Sequence, residues 1–125
     1  MKQAININVS STVAVYQTWD MGRDLGDDVR CAARNNDTDE LRKLLRKVPS
    51  AAYCGSFDLD SDMTLEQIYV MLQNDSHREG WVKALGAQDG WLESAGGAAS
   101  LSMGDMLVIN DRRYVVGLVG FIEVN

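Results

Sequence analysis

The sequence holds two cysteines, one histidine and no long apolar run, and each shortage removes a class of function. Cys31 and Cys54 are too few and too far apart for a secreted disulfide scaffold, and neither belongs to a CxxC pair or stands near a second metal-binding residue. They are expected as free, buried thiols of a reducing compartment. With His77 as the single histidine, a histidine-based metal cluster is excluded, and any Ser-His-Asp or Cys-His catalysis would depend wholly on that residue. Its neighbours Asp75, Ser76, Arg78 and Glu79 are those of a polar helix end, and no nucleophile elbow accompanies it. No stretch nears the ~18 uninterrupted apolar residues of a membrane span. The N-terminus alternates Ile5, Ile7 and Val9 with polar residues where a signal peptide needs an apolar core. The expectation is a cytoplasmic protein.

Basic residues are also in deficit, with 12 Lys and Arg against 18 Asp and Glu and a formal net charge of −6. Direct binding to nucleic acid or an anionic membrane is thereby disfavoured, because phosphate attraction depends on clustered cations. A protein partner with a basic surface is the better electrostatic match. What the chain does contain is a globular composition: 125 residues, 46% of them hydrophobic. That is the size of one domain, and folding at this length removes roughly two-thirds of the unfolded surface from water. No internal repeat, low-complexity tract or linker divides residues 1–125.

Apolar periodicity supplies the elements. Residues 4–19 are rich in β-branched and aromatic side chains, with alternation at Ile5, Ile7 and Val9 and again at Val13 and Val15. They form either one long bent strand or a hairpin turning at Ser10 and Ser11. Leu25, Val29 and Ala32 or Ala33 recur at helical spacing until Asn35-Asn36 ends the pattern. Asp37 with Glu40 resembles a capping pair, opening a stripe of Leu41, Leu44, Leu45 and Val48 before Pro49. Residues 51–59 have strand character around Tyr53 and Phe57. Thr64 with Gln67 is a second capping box, ahead of Leu65, Ile68, Tyr69 and Leu72, with Met63 and Ile68 as its staple. Residues 80–100 read as a glycine-rich loop with a helical turn at Trp81 to Leu85, pinned by Trp81 and Trp91. Residues 106–109, 113–119 and 121–124 read as strands, turning at Asn110-Asp111 and bending at Gly120.

Asp58, Asp60 and Asp62 alternate like the opening ligands of a calcium loop, yet Met63 occupies the position that requires Gly and Tyr69 the position that requires Glu. A solvated loop whose acids favour the following helix N-terminus explains them better. Gly96-Gly97 lacks the Lys-Ser/Thr of a phosphate loop. Charge segregation is more informative. Arg42, Lys43, Arg46 and Lys47 lie on the solvent side of the second helix, whereas residues 48–76 contain Asp58, Asp60, Asp62, Glu66 and Asp75 with no Lys or Arg. Solvated faces explain such a pattern in part, and an acidic docking surface is its functional reading.

In the C-terminal half, Leu65-Glu66, Asn74-Asp75, Trp81 or Trp91, residues 100–105, Tyr114 and Gly120-Phe121-Ile122-Glu123 follow in sequence. This order resembles a small domain of phage, plasmid and other bacterial mobile-element proteins, including the YodL-like group. The resemblance covers residues 65–124. Ala98-Ala99 departs from it, standing where related sequences often carry a basic residue, and the N-terminal half resembles no family. It implies a mobile-element setting and no particular activity.

The fold expected is a single α+β domain, with an antiparallel sheet, two or three helices mainly on one face, and a C-terminal meander. The function expected is a non-enzymatic, acidic, protein-binding accessory factor of a mobile element that acts on host or defence machinery, a nucleic-acid-mimic surface being one form of it. Asp58, Asp60, Asp62, Glu66 and Asp75 would supply the electrostatics and Trp81 or Trp91 an apolar anchor. Neither cofactor nor metal is expected. The alternatives are a small-ligand or metal-binding module at Asp58-Asp60-Asp62 and a small enzyme using His77.

Overall fold

The computed structural model describes residues 5–72 and 101–125. In chain order these form β1 (Asn6–Ile7), β2 (Thr12–Tyr16), α1 (Arg23–Arg34), α2 (Thr38–Leu45), β3 (Tyr53–Asp58), β4 (Met63–Thr64), α3 (Leu65–Met71), β5 (Met106–Ile109), β6 (Arg112–Val116) and β7 (Phe121–Val124). Short 3-10 turns lie at Thr18–Asp20 and Ser50–Ala52. Five strands make an antiparallel sheet in the order β3-β2-β5-β6-β7, and β1 pairs with β4 separately. The class is α+β. No described helix is long and apolar enough to cross a membrane.

The described residues fall into two compact units, one containing residues 5–13, 55–72 and Leu101, the other Ala14–Cys54 with Ser102–Asn125. In the second unit, the meander β5-β6-β7 aligns Met106 with Val115, Val115 with Ile122 and Arg113 with Val124. Met106, Val115, Ile122 and Val124 thereby share a sheet face, and they join Val29, Ala32 and Ala33 of α1 and Leu41, Leu44 and Leu45 of α2 in one core. Each Val, Leu, Ile or Met side chain buried in this way contributes roughly 1.5–3 kcal/mol of transfer free energy. Leu107, Ile109 and Tyr114, which alternate onto the other face, are buried as well. That accounts for the unbroken apolar run of β5.

Helix boundaries follow local chemistry. Asn36 adopts φ 53°, which stops α1, and the Asp37 carboxylate then accepts a hydrogen bond from the Glu40 N–H at 3.1 Å to open α2. In the first unit both halves of the α3 capping box form: Gln67 N–H donates to Thr64 Oγ1 at 3.1 Å, and Thr64 N–H donates to Gln67 Oε1 at 2.9 Å. Leu65, Ile68 and Leu72 are buried, while Tyr69 is half-buried. The β5–β6 hairpin turns at Asn110 and Asp111, with φ of 51° and 64°, the positive pair that a type I′ turn needs.

Three expectations change. The break at Ser10 is present, with φ 71°, but no β1–β2 hairpin or continuous strand results, because β1 hydrogen-bonds to β4 and β2 enters the larger sheet. The strand expected over residues 113–119 ends at Val116. Gly117 N–H donates to Gly120 O at 2.8 Å, and this turn leaves Leu118 and Val119 at 70% and 86% exposure. Turn formation between two glycines overrides the β-propensity of those side chains. Finally, the cysteines are not both buried: Cys31 is exposed, two residues past buried Val29 and therefore on the opposite side of α1, and Cys54 is half-buried. The expected loop over residues 80–100, including the turn at Trp81, lies outside the described residues.

Candidate functional site

The described acidic residues of the first unit run from Asp58 at the end of β3 to Glu66 in the first turn of α3. Leu59 fixes this stretch by its backbone: its N–H donates to Ser11 O at 3.0 Å and its carbonyl accepts from Ser10 N–H at 2.9 Å, while its side chain is buried. The residues around it project into solvent. Asp58, Asp60, Asp62 and Glu66 are all exposed. Asp58 Oδ1 accepts from Thr12 Oγ1 at 2.6 Å, and Asp62 Oδ1 accepts from Val9 N–H at 2.7 Å. Both donors are neutral, so the carboxylates are oriented without losing their charge. Glu66 stands in the first turn of α3, where a negative charge is favoured by the unpaired N–H groups.

Beside these acids lies an open depression of about 450 Å³ lined by Ser61, Asp62, Met63, Glu66, Gln67 and Val70. It has an acidic rim and two apolar contacts, Val70 being exposed and Met63 half-buried. Chemically, it suits a cationic side chain with an aliphatic stem, because the stem can rest on Met63 and Val70 while its charge meets Asp62 or Glu66. The calcium-like spacing does not produce a cation cage. Among the described residues no group of three or more His, Cys, Asp or Glu is placed to hold a metal. Asp58 and Asp62 instead spend one oxygen each on Thr12 and Val9. Asp75, Trp81, Trp91 and His77 lie outside the described residues.

A second polar cluster, in the other unit, is buried. Asp105 is fully buried, and its Oδ1 accepts from Thr18 N–H at 2.9 Å and Thr18 Oγ1 at 3.3 Å. Its Oδ2 accepts from Ser102 N–H at 2.9 Å and Ser102 Oγ at 3.4 Å. Burial pushes the carboxyl up from its ordinary value, against the opposing effect of these hydrogen bonds. Gly104 beside it has φ 93°, and a Cβ there would lie 3.0 Å from both Arg30 Cγ and Thr18 Cγ2. The Ser102-Met103-Gly104-Asp105 motif is thus a clamp between two loops. In the sequence, residues 100–105 stand out only as part of the family pattern, which assigns Asp105 no partner. Cys54 is also chemically quiet: burial first, then Asp20 and Asp105, push its thiol up to about 12, so it stays protonated and is a poor nucleophile.

No family model, curated protein or solved structure matches the chain.

Proposed function

We propose that this chain is a non-enzymatic protein-binding factor that docks a partner with a basic surface on Asp58, Asp60, Asp62 and Glu66. The observation that carries the reading is their common position: four exposed carboxylates on one strand-to-helix connection, with no Lys or Arg between residues 48 and 76. Long-range attraction would accelerate encounter, and the depression at Met63 and Val70 would add short-range apolar contact once the complex forms. By sequence order, Asp75, Trp81 and Trp91 extend the same proposal. The resemblance of residues 65–124 to mobile-element domains adds a setting, the cytoplasm of a bacterial host, and a class of target, host or defence machinery.

The test is affinity capture from host lysate with the wild-type chain and with D58N/D60N/D62N/E66Q, followed by reconstitution of the captured protein. A basic partner that the variant loses at low salt is the expected result. Equal capture by both forms at low and moderate salt would eliminate the acidic face as the docking surface.

A further inference from the structure

The same chain also carries a compact patch of the opposite sign. Lys43 in the last turn of α2, Arg46 at its C-cap and Lys47 in the turn that follows are all exposed and fall within five residues of one another. Their position beside the last carbonyls of the helix is favourable for cations and explains why the fold tolerates three of them. It does not neutralise them. Arg42, in the same segment, is engaged with Asp39 Oδ1 at 2.8 Å and with Asn125 O at 2.7 Å. No described carboxylate pairs with Lys43, Arg46 or Lys47.

We infer that this basic segment binds the acidic face of a second copy of the chain. Two observations select that occupant. Three cations make too small a footprint for a polyanion such as duplex DNA, which is negative throughout, whereas a second copy shares the net charge of −6 but confines its exposed acids at residues 58–66 to one short segment. The chain itself displays the complementary charge: four exposed carboxylates at residues 58–66 stand against three exposed cations at residues 43–47 that no described carboxylate pairs with. Because the two surfaces differ, the contact is heterologous. Each copy keeps one free surface of each sign, so association continues from copy to copy. A basic partner then competes with the basic segment of another copy for the same carboxylates, which makes self-association a brake on the docking proposed above.

Sedimentation velocity of the full chain tests this between ~10 mM and ~0.15 M ionic strength, where the screening length falls from about 30 to 8 Å. The expected result is a concentration-dependent rise in sedimentation coefficient at low salt that disappears at the higher salt. K43E/R46E/K47E and D60K/E66K should each sediment as monomers at low salt. Neither Asp60 nor Glu66 accepts a side-chain hydrogen bond from a described residue, so the second variant keeps the fold, as its circular dichroism will report. An equimolar mixture of the two variants should associate again, since each supplies the sign that the other has lost. The inference is overturned if the wild type stays monomeric at low salt, if either variant associates as the wild type does, or if the mixture remains monomeric. Binding of a duplex DNA probe that only K43E/R46E/K47E loses would also overturn it, by assigning the face to phosphate. Because K43E/R46E/K47E preserves the acidic face, its capture of a basic partner distinguishes failure of self-association from failure of the docking proposal.

Discussion

Asp105 accepts the backbone N–H of Thr18 at 2.9 Å across 87 residues of sequence, and its side chain is buried. Burial raises its folded-state pKa above the unfolded value. The sign follows: the folded chain binds the proton more tightly, so this group's contribution to stability is complete below its unfolded pKa and is lost as pH rises through the folded one. A carboxyl carbon titration by NMR should place Asp105 above its ordinary value. Replacing it with Asn puts an NH2 group against an N–H donor, at a cost of about 1–3 kcal/mol. The advantage of wild type over D105N should be largest at low pH and shrink as pH rises, and a difference that grows with pH would refute the assignment.

Gly104 and Gly120 both have positive φ, at 93° and 72°, but only Gly104 is closely surrounded. A Cβ at Gly120 meets nothing within 4 Å, whereas one at Gly104 meets both Thr18 and Arg30 at 3.0 Å. Gly120→Ala should therefore cost on the order of 1 kcal/mol from backbone strain alone, and Gly104→Ala clearly more, since a close approach is added to the same strain. Urea denaturation of the two variants compares them directly. Equal costs would mean that the Thr18 and Arg30 side chains yield freely.

What sequence could convey was set by distance along the chain. Thr64 with Gln67 and Asn110 with Asp111 are local, so capping and turn chemistry declared them without a fold. The same holds for the candidate face, because Asp58 to Glu66 fall within one short connection. The hydrogen bond from Val9 to Asp62 and the clamp from Thr18 to Asp105 span 53 and 87 residues, and nothing near either end announced its partner. Ser10 showed where the chain breaks, but the choice of β4 over β2 as the mate of β1 depends on the tertiary arrangement. Cys31 misled for another reason: free cysteine is usually buried, yet helical phase turns this one outward.

Asp111 holds φ 64°, a conformation that costs a side chain more than it costs glycine. Asp111→Gly converts the turn to Asn-Gly, the favoured pair for type I′. The β5–β6 hairpin should gain a few tenths to about 1 kcal/mol, seen as a higher melting temperature with an unchanged circular-dichroism spectrum. A lower melting temperature would show that the Asp111 side chain stabilises the turn by more than its strain.

Leu72 ends α3 fully buried, and its carbonyl accepts from Leu101 N–H at 3.1 Å. Leu72→Ala should cost about 2–5 kcal/mol, combining lost transfer free energy with the cavity left behind. Val70→Ala, on the exposed side of the same helix, should stay within about 0.5 kcal/mol. Chemical denaturation separates the two, and an unchanged midpoint for Leu72→Ala would remove α3 from the core.

The proposed docking through Asp58, Asp60, Asp62 and Glu66 makes a prediction that separates binding from folding. Asn at positions 58 and 62 retains an oxygen able to accept from Thr12 Oγ1 and Val9 N–H, so D58N/D60N/D62N/E66Q removes four charges while leaving both hydrogen bonds possible. Exposed charges contribute little to stability, and mutual repulsion is relieved at the same time, so the unfolding free energy should move by no more than about 1 kcal/mol. Association with a basic partner should slow markedly at low salt, because carboxylates at the rim act mainly on encounter. The wild-type rate should fall steeply as ionic strength rises and converge on the nearly salt-independent rate of the variant once the screening length drops below about 8 Å. Stopped-flow or surface-based kinetics at several salt concentrations measures both slopes. A variant that keeps the wild-type salt dependence would place the attractive charge elsewhere on the molecule, and a variant that loses its circular-dichroism spectrum would show that these carboxylates are structural before they are electrostatic.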